Sequence, residues 1–147
     1  MAVIFISDEH PFFIMDSSAT HEKLLMCRLD TLIADGLYEK AISCLDEILK
    51  EHPADEHALS MKGFAYCLVE DSEKGIELLE DALEMEPYSK NVLIIFADAC
   101  LQSSMSDRSL EILERAINYY PEDDGFVMLK AVILGARKRS GINAQFN

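Results

Sequence analysis

The sequence of 147 residues has no tryptophan, few glycines and only 13 basic residues against 27 acidic ones. The shortage of Lys and Arg excludes a phosphate backbone or an anionic membrane surface as partner, since both are bound by clustered positive charge. The one basic cluster, Arg137-Lys138-Arg139, stands near the end of an expected helix, where it complements the helix dipole. Cysteine is sparse. Cys27, Cys44, Cys67 and Cys100 form no CxxC pair and match no zinc spacing. They read as small apolar side chains, reduced and metal-free, of a cytoplasmic protein. No apolar run reaches the roughly 18 residues of a membrane span, so no membrane insertion is expected. The apolar start Val3-Ile4-Phe5-Ile6 has no basic residues before it and is cut short by Asp8-Glu9-His10-Pro11, unlike a signal peptide.

Catalytic signatures are missing as well. There is no Gly-rich phosphate loop, no GxSxG elbow and no HExxH. Of the histidines His10, His21, His52 and His57, the last two flank a turn at Pro53 and read as solvated rather than as metal ligands beside Glu51 or Asp55. The expectation is a non-enzyme without cofactor or metal.

What the sequence does contain is a repeat. Pro53, Pro87 and Pro121 stand two steps of 34 residues apart. In that register Leu25, Leu59 and Leu93 coincide, as do Ile42, Ile76 and Leu110, then Leu45, Leu79 and Leu113. Ile48, Ala82 and Ala116 form another column, and Ala41, Gly75 and Ser109 a column of small residues. Apolar positions three and four apart lay a stripe along one face of a helix. Each segment therefore predicts two helices, about 22–35 and 38–51 in the first. Each proline closes the second helix, and Asp55 and Asp123 are placed to cap the helix that follows.

These columns resemble the tetratricopeptide repeat (TPR), whose signature is W-x2-L-G-x2-Y, then A-x3-F, then P. The middle segment keeps Leu59, Gly63, Tyr66, Leu79, Ala82 and Pro87; the first keeps Leu25, Leu32, Ala41, Leu45 and Pro53. The third keeps Leu93, Ala97, Leu113, Ala116 and Pro121 but departs at Cys100 and Ser109, and Leu replaces the tryptophan throughout. The resemblance covers three segments of 34 residues. It implies an all-α fold without sheet, a right-handed solenoid of three helix hairpins with a C-terminal capping helix. The expected organisation is an apolar N-terminal segment 1–21, then a TPR domain 22–138 with repeats 22–55, 56–89 and 90–123. A capping helix 124–138 marked by Val127, Ala131 and Leu134 and a loose tail 139–147 complete it. Leu29 replaces the small residue of Gly63 and Ala97, which makes the first hairpin the loosest. The N-terminal segment, with Val3–Ile6 and Phe12–Met15, is expected either to cap the first repeat or to lie in the groove.

In such a solenoid the first helix of each pair lines a concave groove, and the resemblance places ligands there. The expected lining is Met26, Asp30 and Ile33, then Ser60, Phe64, Cys67 and Leu68, then Ile94, Asp98 and Leu101. Lys23, Ala34, His57, Asn91 and Gln102 stand beside them, with Met128 and Val132 from the terminal helix. TPR domains that clamp a carboxylate use Lys, Arg and Asn there. Here the corresponding residues are Met26, Asp30, Met61, Asn91 and Ile95, so no cationic clamp forms. An apolar groove with carboxylates at its edge suits a protein or peptide with an apolar segment. Cys67, on the wall, is expected to react with thiol probes faster than core-facing Cys100. The acidic run Glu70, Asp71, Glu73, Glu77, Glu80, Asp81, Glu84 and Glu86 reads as a solvated convex face, or as a dock for a basic partner.

Size, acidity and architecture also resemble the small TPR chaperones of bacterial type III secretion. The leading expectation is thus a chaperone or adaptor that shields an apolar segment of a partner. The alternative is a self-associating scaffold, a homo-oligomer built through the N-terminal segment.

Overall fold

A computed structural model describes the backbone at 3–7, 10–15 and 17–145, and the side chains of 24–141. Seven helices among the described residues follow the 34-residue register: α1 Ser17–Ala34, α2 Tyr38–Glu51, α3 Glu56–Leu68, α4 Ser72–Met85, α5 Lys90–Gln102, α6 Ser106–Tyr119 and α7 Asp124–Gln145. α1 with α2, α3 with α4 and α5 with α6 pack as hairpins, and α7 packs on α6. The all-helical solenoid expected for the repeat region is what forms.

The sequence features that end and begin helices work as their chemistry requires. α2, α4 and α6 each stop two residues before Pro53, Pro87 and Pro121. Asp55 accepts from the Ala58 N–H at 2.8 Å and Asp123 from the Gly125 N–H at 2.9 Å, capping α3 and α7, while Ser89 caps α5. Inside each hairpin the turn is also repeated. The N–H groups of Leu37, Asp71 and Met105 bond back to the carbonyls of Leu32, Tyr66 and Cys100, the long bond of a Schellman end. That end needs one left-handed residue, and it falls at Gly36 (φ 71°), Glu70 (φ 66°) and Ser104 (φ 60°), again 34 apart. Only the first of these is glycine.

Packing differs among the hairpins according to the small residues between their helices. A Cβ on Gly63 would lie 2.7 Å from the Gly75 carbonyl oxygen and 2.8 Å from Leu79 Cγ. One on Gly75 would lie 2.6 Å from the Gly63 carbonyl. α3 and α4 thus touch backbone to backbone. In the third hairpin Ala97 and Ser109 take these places, and the Ser109 hydroxyl donates to the Ala97 carbonyl at 2.8 Å. In the first, the fully buried Leu29 stands where Gly63 and Ala97 are small. The core divides accordingly. Leu25, Leu29, Leu32, Ala41, Cys44, Leu45, Ile48 and Ala58 form one cluster, while a larger one runs from Cys67 through α4, α5 and α6 to Phe126 and Ile133.

Four expectations are corrected. A two-stranded antiparallel sheet, β1 Val3–Ser7 and β2 His10–Met15, precedes the helices, with Ile4 opposite Ile14 and Phe5 opposite Phe13. Short runs of Val, Ile and Phe on either side of Ser7-Asp8-Glu9-His10-Pro11 favour strands. Whether residues 1–21 cap the first repeat or enter the groove lies outside the described side chains. The first helix begins at Ser17 rather than 22, and the last continues to Gln145, through the stretch expected to be a loose tail. Finally, α7 buries Phe126 and Ile133 and leaves Val127, Ala131 and Leu134 exposed. In α3 and α5 those columns face the second helix of the same hairpin. α7 packs on α6 instead and buries the side that meets it.

Candidate functional site

The expected groove lining lies on α1, α3 and α5, and the structure sorts it by depth. α3 is flanked by α2, α4 and α5, so its small side chains are enclosed. Ser60 is fully buried and donates its hydroxyl to the His57 carbonyl at 2.8 Å. Cys67 is only 5% exposed and fits against Gly75. These two residues are removed from the accessible surface, a correction that follows from α3 being covered on three sides.

The larger apolar residues remain in reach. Met26 and Ile33 are half-buried over the α1–α2 core. Phe64 and Leu101 are half-buried against the larger core, and Leu68 is half-buried at the end of α3. Ile94 is 41% exposed. Asp30 is exposed, and Asp98 is half-buried, accepting from Gln102 Nε2 at 3.5 Å. The first helices therefore carry, at the expected groove positions, large apolar side chains that are half-buried or exposed, and the carboxylates Asp30 and Asp98. Ala34, Asn91 and Gln102 are exposed, and His57 Nδ1 is buried without a hydrogen-bond partner among the described residues. The side chain of Lys23 lies outside the described residues.

A pocket of about 520 Å³ lies between α5 and α7, lined by Leu101, Ser106, Val132, Ile133, Ala136 and Arg137 among others. Only Leu101 and Val132 were legible as lining. Ile133 and Ala136 follow from the rotation of α7, which the repeat columns misassign. On α4 and the residues flanking it, the acidic run from Glu70 to Glu86 is exposed at every one of its eight carboxylates. It is not uniformly acidic, because Arg108 from α6 bridges Glu80 at 2.9 Å and Glu111 at 2.8 Å and lies over the Phe96 ring.

Among the thiols, Cys67 is buried rather than open on a groove wall, though less completely than Cys100. Burial raises the pKa of Cys44 and of Cys67, the latter opposed by a hydrogen bond with Ser103, and pushes Cys100 up to about 12. Cys27 is the exposed one. No cluster of three or more His, Cys, Asp or Glu side chains able to hold a metal exists among the described residues. None of the described helices is long and apolar enough to cross a membrane.

No protein-family model matches the chain, and no curated protein does. Solved structures do match in fold. One is a chain from a structure of Naa15/Naa10 bound to HypK-THB, with a TM-score of 0.67 at 20% identity. The likeness covers 82% of this chain but only 18% of that one, so the chain spans less than a fifth of its neighbour's length. At that identity the match speaks for architecture alone, and the architecture is a TPR-like helical solenoid.

Proposed function

We propose that the chain is a protein-interaction module that holds an apolar segment of a partner protein along the apolar groove positions of its first helices. The observation that carries the reading is Ile94, a large aliphatic side chain left 41% exposed at a repeat position facing the groove. Phe64, Leu68 and Leu101, at other expected groove positions, are half-buried large apolar side chains. Side chains of this kind are half desolvated already, so an apolar ligand gains by covering them. Asp30 and Asp98, also at groove positions, favour a segment with basic flanks. The neighbouring fold comes from a structure of Naa15/Naa10 bound to HypK-THB, which fits a fold used to bind protein. Chaperone or adaptor is the role this supports. The likeness to type III secretion chaperones rests on size, charge and architecture, and no match ties the chain to that pathway. Non-enzymatic action and a cytoplasmic, reducing setting belong to the same proposal.

The test is capture of partners from the source cell, identification by mass spectrometry, and titration of the purified partner segment. Ile94→Asp places a charge among these positions where little core is disturbed, and should weaken binding by about one to two powers of ten. A partner bound equally by wild type and Ile94→Asp moves the site elsewhere, with the acidic face of α4 as next candidate.

A further inference from the structure

A solvent-facing helix normally shows water a polar outer side. α7 does the opposite. Its inner side carries Phe126, Leu129 and Ile133, with Lys130 tied to Glu114 at 2.9 Å and Arg137 to Asp107 at 2.7 Å. At 3.6 residues per turn, Ala131 points directly away from that side, with Val127, Met128, Leu134 and Gly135 around it. Met128 is 68% exposed, Val127 and Leu134 nearly half, and Ala131 is exposed. Nothing lies within 4 Å of where a Gly135 Cβ would be. Two turns before Ala131 the same face carries Asp124, and two turns after it Lys138, both exposed.

We infer that this face binds the same face of a second copy, with the two α7 helices antiparallel and crossing at Ala131. The pattern is self-complementary about that residue. Antiparallel pairing sets Met128 of one copy against Leu134 of the other, and Val127 against Gly135. It sets Asp124 against Lys138 twice over, as an isologous two-fold contact requires. The small residue at the crossing lets the helices approach, and the antiparallel dipoles attract. Charge selects the place as well as the pairing. The chain carries a net −14, so copies repel wherever acid dominates. On α7, Lys130 and Arg137 already offset Glu114 and Asp107, and the exposed Lys138 and Arg139 stand against Asp124 alone, so that repulsion is relieved there.

The experiment is sedimentation equilibrium on the full chain across a wide concentration range. The expected mass is about twice the 16.6 kDa of one chain at high concentration. Ala131→Glu sets two carboxylates together at the two-fold axis and should weaken dimerisation by about 100-fold. The melting midpoint of the dilute protein should be unchanged, because Ala131 is exposed in the single chain. Asp124→Lys should weaken the dimer, and Asp124→Lys with Lys138→Asp should restore it. In a Cys27→Ser background, Ala131→Cys should form a disulfide dimer on mild oxidation. A chain that stays monomeric at every concentration overturns the inference, and so does a dimer that Ala131→Glu leaves intact.

Discussion

The backbone contact between α3 and α4 allows a test in which one chemical change has opposite signs at two sites. Gly63→Ala adds a single methyl group. Its carbon would sit 2.7 Å from the Gly75 carbonyl oxygen, 2.8 Å from Leu79 Cγ and 3.3 Å from Leu78 Cβ. The first neighbour is backbone and the second is the branch point of a fully buried side chain, so neither can swing aside. Overpacking of this sort costs about 1–3 kcal/mol per site and more when backbone is involved. Alanine returns about 1 kcal/mol through its helix propensity. With two hard contacts the net is a loss of about 2 kcal/mol, a fall of about 4–8 °C in melting midpoint for a chain of this size. Gly135→Ala, in α7 with open space around it, gains the propensity term without the clash and should rise by up to about 1 kcal/mol. Circular dichroism melts and urea titrations in dilute solution read both variants. If Gly63→Ala melts at or above wild type, the close approach of α3 and α4 is refuted, and with it the assignment of Gly63 and Gly75 to facing columns.

The left-handed turn column makes a second test: Gly36→Ala should cost about 1 kcal/mol, while Glu70→Gly should stabilise by up to about 1 kcal/mol, read from urea midpoints. Maleimide labelling at neutral pH should modify Cys27 quickly and Cys44, Cys67 and Cys100 only as fast as the fold opens; equal rates for Cys27 and Cys67 would contradict the packing of α3. Asp123, held by Lys90 and by the Gly125 N–H, has its carboxyl pKa lowered below 3.8. A carboxyl lowered by folding stabilises above its ordinary range and loses that contribution as pH falls through the lowered value. Asp123→Asn should therefore melt below wild type near neutrality and approach it in acid. Phe64→Ala should lower both partner affinity and the stability of the free chain, because the ring also packs on the core; a variant that loses affinity alone would place Phe64 outside that core.

Much of the helical architecture is legible because its causes are local and repeated. Leu25, Leu59 and Leu93 recur since each first helix presents the same face to its own second helix, and prolines and Asp caps mark the joints. Four things escape such columns. Ser60 and Cys67 sit at positions that face a ligand in the repeat pattern, yet α3 has neighbours on three sides and covers them. Val127, Ala131 and Leu134 match the repeat, but α7 packs on α6 through Phe126 and Ile133 and leaves them outward. Glu70 and Ser104 adopt the backbone of Gly36 without any sequence signal of it, since the Schellman bonds enforce the conformation. The strands β1 and β2 come from runs too short and too uniformly apolar to show a period of two. Within the candidate site, the apolar residues Phe64, Leu68, Ile94 and Leu101 were placed by the repeat resemblance; the pocket that Leu101 shares with α7 was not, because it depends on how that helix is rotated.

The split of the core at α3 bears on how the molecule comes apart. Ala58, near the start of α3, belongs to the cluster of the first hairpin, whereas Cys67, near its end, belongs to the larger cluster. One helix is thus shared by two cooperative units joined through α2 and α3. Neighbour-only coupling of this kind lets one end open while the other stays closed. Amide exchange should then fall into two populations, with α1 and α2 releasing their protons through an opening that leaves α4, α5 and α6 protected. A chain built this way behaves under load as a clasp rather than a knot: its first hairpin can detach and return without the remainder ever unfolding.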